Sequence, residues 1–466
     1  MKSVAVVGAG PTGLVSARAA LELGFSVTVV DPWIFESKNV SKLQNSPKFG
    51  NLAKKSYFGS FAMYEYEDSI LSVGDMTDLP ISGTVGGLSA VWGANILSDY
   101  QISSITNSNN QSSIDLVTDI LSMKFKNERS RLHESPIASD RFERMFDRPQ
   151  DRSSFSVQKS SLAIDWDACT RCGQCLTGCP QDAIFNASFE WRNLVNSGEV
   201  TLLQGYVDRV VIGENDDLKV ELVGSDMGHT FDYIFLCAGS VATSALLLRS
   251  LLIPNHSELA DTQVYYMPFF SIKGRKNMES RFALAQSFIQ FKDDAGGSQL
   301  ALYEASAETV RRAKQIVGPC QYLVPDFIWR RIIPGIGMVP SKFSGRLTLH
   351  ASESGQIKLT ASKARRAGKY IWGIYLKNFF RLFRRGILPL LPAVQVPNVG
   401  SSYHVGALTF DNKSLISKDG RIRENVNLFI ADGSAIDNLV AGPVTHLYMI
   451  NAAEITKNAL GGSRDE

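Results

Sequence analysis

Long apolar runs are missing from this sequence: none approaches the roughly 18 residues that a membrane-spanning helix needs. Charge of one sign is missing too, because 48 basic and 46 acidic residues leave a net charge of +2. This balance excludes a protein that binds nucleic acid through a globally basic surface. The first strand-like run begins at Ser3, so we expect no secretory leader. We therefore expect a cytoplasmic protein, or one that lies peripherally on the inner face of the membrane.

Cysteine is scarce, but its distribution is uneven: of six residues, four lie between positions 169 and 179. In a reducing compartment such clustering indicates a metal or cluster site and not disulfides. Cys169, Cys172, Cys175 and Cys179 follow the spacing C-x2-C-x2-C-x3-C-P, which is typical of thiolates that hold an iron–sulfur cube. A structural zinc would more often use two separated C-x2-C pairs.

The cysteine count also limits the number of clusters, because a second cubane would need two more cysteines than the six present. The pattern therefore predicts one 4Fe-4S cluster. In two-cluster ferredoxins the fourth cysteine of such a run ligates the other cluster, so the fourth ligand stays open at this point. We favour Cys179 over Cys237 or Cys320, which we interpret as small buried residues.

A glycine-rich turn stands at the start of the chain. Residues 3–7 form a strand-like apolar run, Gly8, Gly10 and Gly13 follow, and a helical pattern covers residues 14–23. A second strand then ends at Asp31. This order is the G-x-G-x-x-G fingerprint of a dinucleotide site, in which the helix N-terminus stabilises the pyrophosphate and the acid accepts hydrogen bonds from the ribose. The fingerprint alone does not separate FAD from NAD.

Residues 83–95 form a second glycine-rich segment around Trp92. Glycines at this density let the backbone approach a flat ligand closely, and a tight loop that packs on its own tryptophan is the alternative.

The remaining pattern predicts elements on both sides of the cysteine run. We expect an exposed loop over 101–113, helices over 114–123 and 139–146, a strand meander over 199–222, a buried strand over 233–237 followed by a helix, an antiparallel sheet over 263–307, and a strand over 427–434 before a helix that Gly442 and Pro443 open.

No acidic residue lies between Glu353 and Asp411, and a helical pattern near 370–385 falls within this stretch. Its apolar residues, Ile371, Ile374, Tyr375, Phe379, Leu382 and Phe383, would share one face, and its basic residues would share the other. A basic amphipathic helix can lie on anionic lipid. A surface helix whose apolar face packs on its own domain is the interpretation that we favour.

Taken together, the motifs resemble those of the glucose-methanol-choline (GMC) oxidoreductases, a family of FAD enzymes that act on alcohols. Residues 86–93 resemble the loop that covers the flavin in this family, and residues 233–248 resemble its second nucleotide-domain strand and helix. Residues 404–406, 427–434 and 442–443 resemble its C-terminal signature. These segments cover about half of the chain in the order of the family.

The resemblance implies a fold and a cofactor. The fold class is α/β (α+β overall), with a Rossmann-like FAD-binding domain, an antiparallel-sheet substrate domain and a small iron–sulfur loop. The FAD-binding domain would comprise residues 1–100, 187–255 and 401–466, with a substrate or cap region at 101–165, the cluster segment at 166–186 and the substrate domain at 256–400. Besides the fingerprint residues, the implied FAD contacts are Gly87, Ser89, Trp92, Val207, Ala238, Gly239, Asp432, Gly433 and Pro443.

The resemblance also implies that His404 is the catalytic histidine. Two departures from the family pattern stand out. Gly442 occupies the position where the family has a second His or an Asn, and His446, one turn further on, is the candidate substitute. The full cluster-binding cysteine run is unusual for the family and puts oxygen in doubt as the electron acceptor.

We therefore expect a dehydrogenase that oxidises the CH–OH group of an alcohol or sugar-like substrate and passes electrons through one cluster to an external one-electron acceptor. One alternative is a flavin reductase or desaturase that receives electrons through the cluster. Another is a non-catalytic electron-transfer flavoprotein that docks to a partner or membrane. A third possibility is a cluster that only stabilises the fold and carries no electrons, which would remove the cluster from the leading interpretation.

Overall fold

A computed structural model provides the structure of the chain. It describes residues 1–34, 71–73, 82–90, 92–97, 111–122, 142, 145, 155–173, 175, 179–214, 216–225, 227–272, 282–291, 297–304, 314, 319, 322, 324–352, 355–362, 366–390, 394–395, 405–410, 413–424, 426–436, 439 and 441–461.

The described strands and helices are numbered separately in chain order. The strands are β1 (Ser3–Val7), β2 (Ser26–Asp31), β3 (Leu71–Val73), β4 (Phe155–Lys159), β5 (Val200–Gln204), β6 (Val207–Ile212), β7 (Leu218–Leu222), β8 (Gly228–Phe231), β9 (Tyr233–Leu236), β10 (His256–Asp261), β11 (Val264–Ser271), β12 (Ser287–Phe291), β13 (Ser298–Leu302), β14 (Ile332–Met338), β15 (Arg346–Ala351), β16 (Ile357–Ala361), β17 (Ile387–Pro389), β18 (Val394–Gln395), β19 (Val405–Phe410), β20 (Lys413–Ser414) and β21 (Leu428–Ile430). The helices are α1 (Pro11–Glu22), α2 (Gln111–Ser122), α3 (Ala187–Asn196), α4 (Ser240–Arg249), α5 (Asp326–Trp329), α6 (Ala367–Arg384) and α7 (Thr445–Gly461).

One sheet is parallel and has five strands in the order β21-β9-β1-β2-β5. Its central strand β1 is apolar and almost wholly buried, as expected for a parallel strand covered on both faces. Helices α1 and α7 pack on one face through small buried side chains, and the hydroxyls of Ser16 and Thr456 form a hydrogen bond of 3.0 Å between them. Helix α4 packs on the other face.

The prediction of a strand meander over residues 199–222 was wrong for its first strand. Val200 pairs with Val27, so β5 extends the parallel sheet at the edge of β2. The antiparallel meander consists of β6, β7 and β8. The neighbours of a strand depend on contacts with distant residues, so its position in the chain did not reveal its partner.

A separate sheet of seven strands confirms the antiparallel sheet predicted near residues 263–307. Its order is β17-β11-β14-β13-β12-β4, and β18 also pairs with β11. Alternate residues of β11 are buried, and helix α6 covers that face through Ile371, Tyr375 and Leu382. A sheet of six strands, β20-β19-β10-β15-β16-β3, packs against α4.

Helices occur near the predicted positions, but their first residues differ from the predicted ones. Helix α1 begins at Pro11 rather than residue 14, and α2 begins at Gln111, inside the predicted loop, where the Gln111 amide bonds the Asp115 carboxylate. Pro443 precedes α7, whose first residue is Thr445, so it does not occupy the first turn. Of the helix predicted over 139–146, the structure describes only Phe142 and Met145, both helical. Among the described helices, none has the length and apolarity needed to cross a membrane.

Candidate functional site

A cavity of about 360 Å³ opens at the carboxyl ends of the parallel strands, where open α/β sheets bind ligands. Gly13 is the one predicted cofactor residue that does not line it. The other twelve do: Gly8, Gly10, Asp31, Gly87, Ser89, Trp92, Val207, Ala238, Gly239, Asp432, Gly433 and Pro443. Residues from the start, middle and end of the chain therefore meet around one space.

Each of the three fingerprint glycines is needed at its position for a different physical reason. A Cβ on Gly13 would lie 2.1 Å from the carbonyl oxygen of Gly8, so this glycine allows α1 to pack on the first turn. Gly8 has φ +106°, and a Cβ there would lie 2.7 Å from the Cys237 carbonyl oxygen. A Cβ on Gly10 would meet nothing nearer than 4.0 Å. Gly10 therefore leaves its backbone accessible from the cavity, as close approach to a phosphate requires.

Asp31 is buried, and its carboxylate accepts hydrogen bonds from two backbone amides. Ala9 N–H donates to Oδ2 at 2.8 Å, and Trp33 N–H donates to Oδ1 at 2.7 Å. Burial raises the pKa of Asp31 to about 6, although both hydrogen bonds act in the opposite direction. The acid thus shapes the glycine turn, and each oxygen retains a lone pair that could accept from a ligand hydroxyl.

Asp432 joins the last strand of the parallel sheet to the start of α4. Its Oδ2 accepts hydrogen bonds from Gly239 N–H at 3.0 Å and Thr243 Oγ1 at 2.5 Å. Its Oδ1 accepts from the amide and hydroxyl of Ser434, at 2.9 and 2.5 Å. Burial raises the pKa of this carboxyl. With four donors, the side chain holds the two loops together, so a ligand here would meet the backbone of residues 432–433.

The glycine-rich segment around Trp92 is held in place by a hydrogen bond to the first residue of α3. The Ser89 hydroxyl donates to the Gly86 carbonyl at 2.6 Å and accepts from Ala187 N–H at 3.1 Å. A Cβ on Gly87 would lie 3.4 Å from the Cα of Gly10, so the two glycine-rich segments face each other closely. Ser89 therefore positions the loop, and the glycines form the cavity wall.

The far end of the cavity is lined by the antiparallel sheet, through Phe288, Gln299, Ala301, Tyr303, Ile336 and Met338. The Asn95 side chain forms a hydrogen bond with the Tyr303 hydroxyl, and burial raises the pKa of Tyr303 to about 12. Within the described part of the chain, Asn95 Oδ1 is buried and has no hydrogen-bond partner. An unsatisfied acceptor in a cavity wall is suited to a ligand that donates a hydrogen bond.

Sequence reasoning missed Asn95, Gln299 and Tyr303 as site residues. Asn95 is the last residue of the glycine-rich segment, and its own spacing carries no functional signal. Gln299 and Tyr303 are polar residues in and just after a strand whose side chains are almost all buried. That pattern of polar residues within a buried strand was the signal that could have identified them.

The structure treats the two candidate histidines differently. His404 lies outside the described residues; Val405, which follows it, pairs with Asp261, and a Cβ on Gly406 would lie 2.7 Å from the carbonyl oxygen of Gly433 in the cavity wall. His446 is buried on α7, and its Nδ1 accepts from Leu97 N–H at 3.3 Å. The cavity lining contains Gly442, Thr445 and Tyr448 but not His446. The structure therefore does not bring His446 to the cavity.

The four clustered cysteines, Cys169, Cys172, Cys175 and Cys179, line a second, small cavity. Its other walls include the apolar side chains of Ile164, Ile184 and Phe282. Arg171 and Gly173 have positive φ angles of 58° and 81°, which bend the loop so that cysteines with two residues between them face the same space. No group of three or more His, Cys, Asp or Glu side chains among the described residues forms a site for a single metal ion.

Backbone amides and burial set the chemistry of these thiols. Ala183 N–H donates to Cys179 Sγ at 3.3 Å, and backbone hydrogen bonds from Arg171 and Ala283 reach Cys169 and Cys175. Burial and the neighbouring cysteines raise the pKa of Cys175 to about 11. Four thiols in a mainly apolar pocket with N–H donors fit a thiolate-held cluster, whose iron replaces the protons on assembly.

Cys237 is separate from this group. It is buried at the end of β9, lines the larger cavity, and its Sγ lies 3.6 Å from Ser16 Oγ. Burial raises the pKa of its thiol well above the usual range. Cys320 lies outside the described residues. The structure thus groups Cys179, and not Cys237, with the other three cysteines.

One short segment connects the two cavities. Residues 162–164 form bridges to Asn95 on one side and to Ile184 on the other. Across the same connection, Trp92 Nε1–H donates to the Phe185 carbonyl at 2.8 Å, and the two rings lie 6.1 Å apart. Trp92 lines the large cavity and Ile184 lines the cysteine cavity. The two sites are therefore neighbours joined by hydrogen bonds.

Comparison with known proteins gives two findings. The 4Fe-4S binding domain family (Fer4) matches residues 162–185, so the cysteine segment carries an iron–sulfur binding motif. The chain as a whole is similar in structure to pyridoxine 4-oxidase from Mesorbium loti, with a TM-score of 0.59, 16% sequence identity, and coverage of 98% of this chain and 99% of that chain. At this identity the likeness shows a shared fold. A search of curated protein sequences gives no significant match.

Proposed function

We propose that the chain is an FAD-dependent oxidoreductase of the GMC type that oxidises a CH–OH group of an alcohol or sugar-like substrate. Electrons then pass through one 4Fe-4S cluster to an external one-electron acceptor. The observation that carries the proposal is the single cavity that the glycine fingerprint and the antiparallel sheet share, with the cysteine pocket directly beside it.

The residues around the large cavity fit a flavin dinucleotide. The open face of Gly10 at the start of α1 suits the pyrophosphate, and Asp31 keeps lone pairs for the adenosine ribose. Val207 lines the cavity with the Asp31 end of the sheet. At the other end, residues 432–433 and the N-terminus of α7 converge with the antiparallel sheet, which a simple NAD domain lacks.

When bound, the flavin supplies a two-electron hydride acceptor and the cluster supplies a one-electron carrier. The chain must remove the hydroxyl proton, orient the alcohol and exclude water. His404 is our proposed base, because a neutral imidazole has a suitable pKa and because β19, which begins at the next residue, packs on the cavity wall at Gly433. Asn95 and Tyr303 are the polar groups that would hold the substrate, and Phe288, Ile336 and Met338 would exclude water.

The comparisons support this proposal without naming the substrate. One similar solved structure is that of a GMC oxidoreductase, named pyridoxine 4-oxidase. The cysteine run distinguishes this chain, since a cluster next to the flavin cavity suits transfer in single-electron steps. Gly442, which lines the cavity, stands at the position where the family has a second His or an Asn. Asn95, with its unsatisfied acceptor, is our candidate for the missing orienting group.

The decisive experiment is anaerobic. Purified protein with both groups bound is mixed with a panel of sugars, polyols, long-chain alcohols, sterols and pyridoxine, while the flavin absorbance and the paramagnetic resonance of the cluster are recorded. We expect at least one alcohol to bleach the flavin and then to reduce the cluster. Bleaching by a low-potential donor but by no alcohol would instead indicate a reductase that is fed through the cluster.

A further inference from the structure

Helix α6 packs on the antiparallel sheet through one face. Ile371, Ile374, Tyr375 and Leu382 are buried there, and the Tyr375 hydroxyl lies 3.1 Å from that of Tyr265 on β11. This contact confirms our preferred interpretation of a packed surface helix for most of the predicted apolar face. Phe383 is the exception, because 47% of its surface is exposed.

The outward side of the same helix carries a second apolar stripe. Trp372, Leu376, Phe380 and Phe383 are 41%, 63%, 75% and 47% exposed. Their spacing of four, four and three residues places them on one side of the helix, along about 16 Å of its axis. Single exposed apolar residues are ordinary, but four large ones in a row on one helix indicate a contact surface.

Basic residues flank this stripe. Arg366, Lys377 and Arg384 are exposed and follow one another on the neighbouring sector of the helix, and Lys369 lies within the stripe. No acidic residue occurs between Glu353 and Asp411. The exposed half of α6 is therefore apolar along one line and cationic along the next, which is the pattern of a helix that lies in a membrane interface.

Two further exposed apolar residues lie at strand ends beyond the helix. Ile272 is 42% exposed, and its N–H donates to the carbonyl oxygen of Gly386, two residues after α6. Leu390 is 37% exposed and follows β17. Ser271 and Pro389 belong to the buried face that α6 covers, so strand alternation turns the residues that follow them, Ile272 and Leu390, to the other face of the sheet. The apolar docking surface therefore consists of the stripe on α6.

We propose that the outward face of α6 docks the protein on the surface of an anionic lipid bilayer. The apolar stripe would enter the boundary between headgroups and acyl chains, and the flanking cations would meet lipid phosphates. A second copy of the chain is a poorer occupant, because facing two such helices would bring their cations together. The proposal does not depend on the proposed reaction, since none of these residues lines the large cavity.

Vesicle flotation of the full chain tests the proposal. The vesicles contain either phosphatidylcholine alone or about 30% phosphatidylglycerol, at about 50 mM and about 500 mM NaCl. We expect binding to the anionic vesicles at low salt, at least tenfold weaker binding to neutral vesicles, and loss of binding at high salt. Lys377→Gln with Arg384→Gln should weaken binding about 25-fold, since each removed cation is worth about fivefold.

The apolar stripe is tested by Leu376→Ser with Phe380→Ser, which should abolish binding even at low salt. The matched controls are Met227→Ser, an exposed apolar residue just before β8, and Lys358→Gln, an exposed basic residue on β16, and neither should change binding. Brominated lipid should quench part of the tryptophan fluorescence, and Trp372→Phe should remove that part. Unchanged circular dichroism would show that each variant folds.

The proposal fails if the wild-type chain stays unbound at low salt. It also fails if the α6 variants and the controls bind equally. A dimer that only the α6 variants dissociate, without vesicle binding, would assign the surface to a second copy of the chain.

Discussion

At the scale of the residue, Asp31 shows how a fingerprint acid is set by its surroundings. The sequence predicted an acceptor at the end of β2, and the structure adds that two backbone amides already bind the carboxylate in a buried position. That geometry could not be predicted, because the fold of the glycine turn determines which amides face the acid. The burial has a measurable consequence.

We predict that Asp31 makes the flavin-free protein less stable as pH rises. Its pKa in the folded chain is about 6, against 3.8 without burial, so the folded chain holds the proton more tightly than the unfolded chain does. Its contribution to the free energy of unfolding is therefore complete below about pH 4 and decreases by about 3 kcal/mol as pH passes 6.

Denaturant titrations between about pH 4 and pH 7 measure this effect as the difference in slope between wild type and Asp31→Asn. The variant cannot titrate at this position, so its free energy of unfolding should fall less steeply. Asp432, whose pKa is also raised, remains in both proteins and cancels from the comparison. Parallel curves would contradict the prediction.

His404 is the second residue-scale prediction. His404→Ala should keep both bound groups but reduce the rate of flavin reduction by substrate about a hundredfold or more, because a general base is lost. The residual rate should rise with pH as hydroxide or alkoxide replaces the imidazole. Anaerobic stopped-flow spectroscopy with the substrate found in the panel measures the rate.

His446→Ala is the matched control for His404. Because the His446 ring accepts from Leu97 N–H and does not line the cavity, its loss should lower stability and leave flavin reduction near normal. A large loss of rate in His446→Ala with near-normal reduction in His404→Ala would identify His446 as the general base instead.

At the scale of the element, local signals were enough where the contacts are local. The turn of Gly8, Gly10 and Gly13 lies where its spacing indicated, since strand, turn and helix follow directly in the chain. The partner of β5 and the outward stripe of α6 were missed for the opposite reason. Strand pairing and the choice of which helix face is covered depend on residues far away in sequence.

The cysteine loop gives the element-scale prediction. Each of the four substitutions Cys169→Ser, Cys172→Ser, Cys175→Ser and Cys179→Ser should remove most of the iron and sulfide, because these thiols share one pocket. Cys237→Ser should retain both, since this buried thiol lies at the other cavity. Cys320→Ser completes the series.

Iron and labile sulfide are quantified per chain, together with the bound flavin. Full iron in Cys179→Ser with loss in Cys237→Ser or Cys320→Ser would overturn the ligand set. Flavin retained in the four variants would show that the fold survives without the cluster, whereas loss of both would favour a cluster that braces the fold.

At the scale of the whole molecule, two sites built from distant parts of the chain are joined by a short bridge. Each motif could be recognised separately in the sequence, but nothing in the sequence indicated that the two sites are adjacent. Their adjacency arises because residues 162–164 pair with Asn95 and with Ile184 at once. On the bridge, Ala183 N–H donates to Cys179 Sγ and the Phe185 carbonyl accepts from Trp92 Nε1–H, with Ile184 alone between the two residues.

This bridge gives the last prediction, that Trp92→Phe slows electron transfer from flavin to cluster more than it slows flavin reduction by substrate. The substitution keeps an aromatic ring in the cavity wall but removes the 2.8 Å hydrogen bond to Phe185, at a cost of about 1 kcal/mol in stability.

The matched control is Trp191→Phe, which loses a similar hydrogen bond, to Gly10, away from the cysteine pocket. Rapid-mixing absorbance follows the flavin, and freeze-quenched paramagnetic resonance follows the cluster. The ratio of cluster to flavin reduction rates should fall in Trp92→Phe and not in Trp191→Phe; an equal ratio in both would mean that electrons reach the cluster by another route.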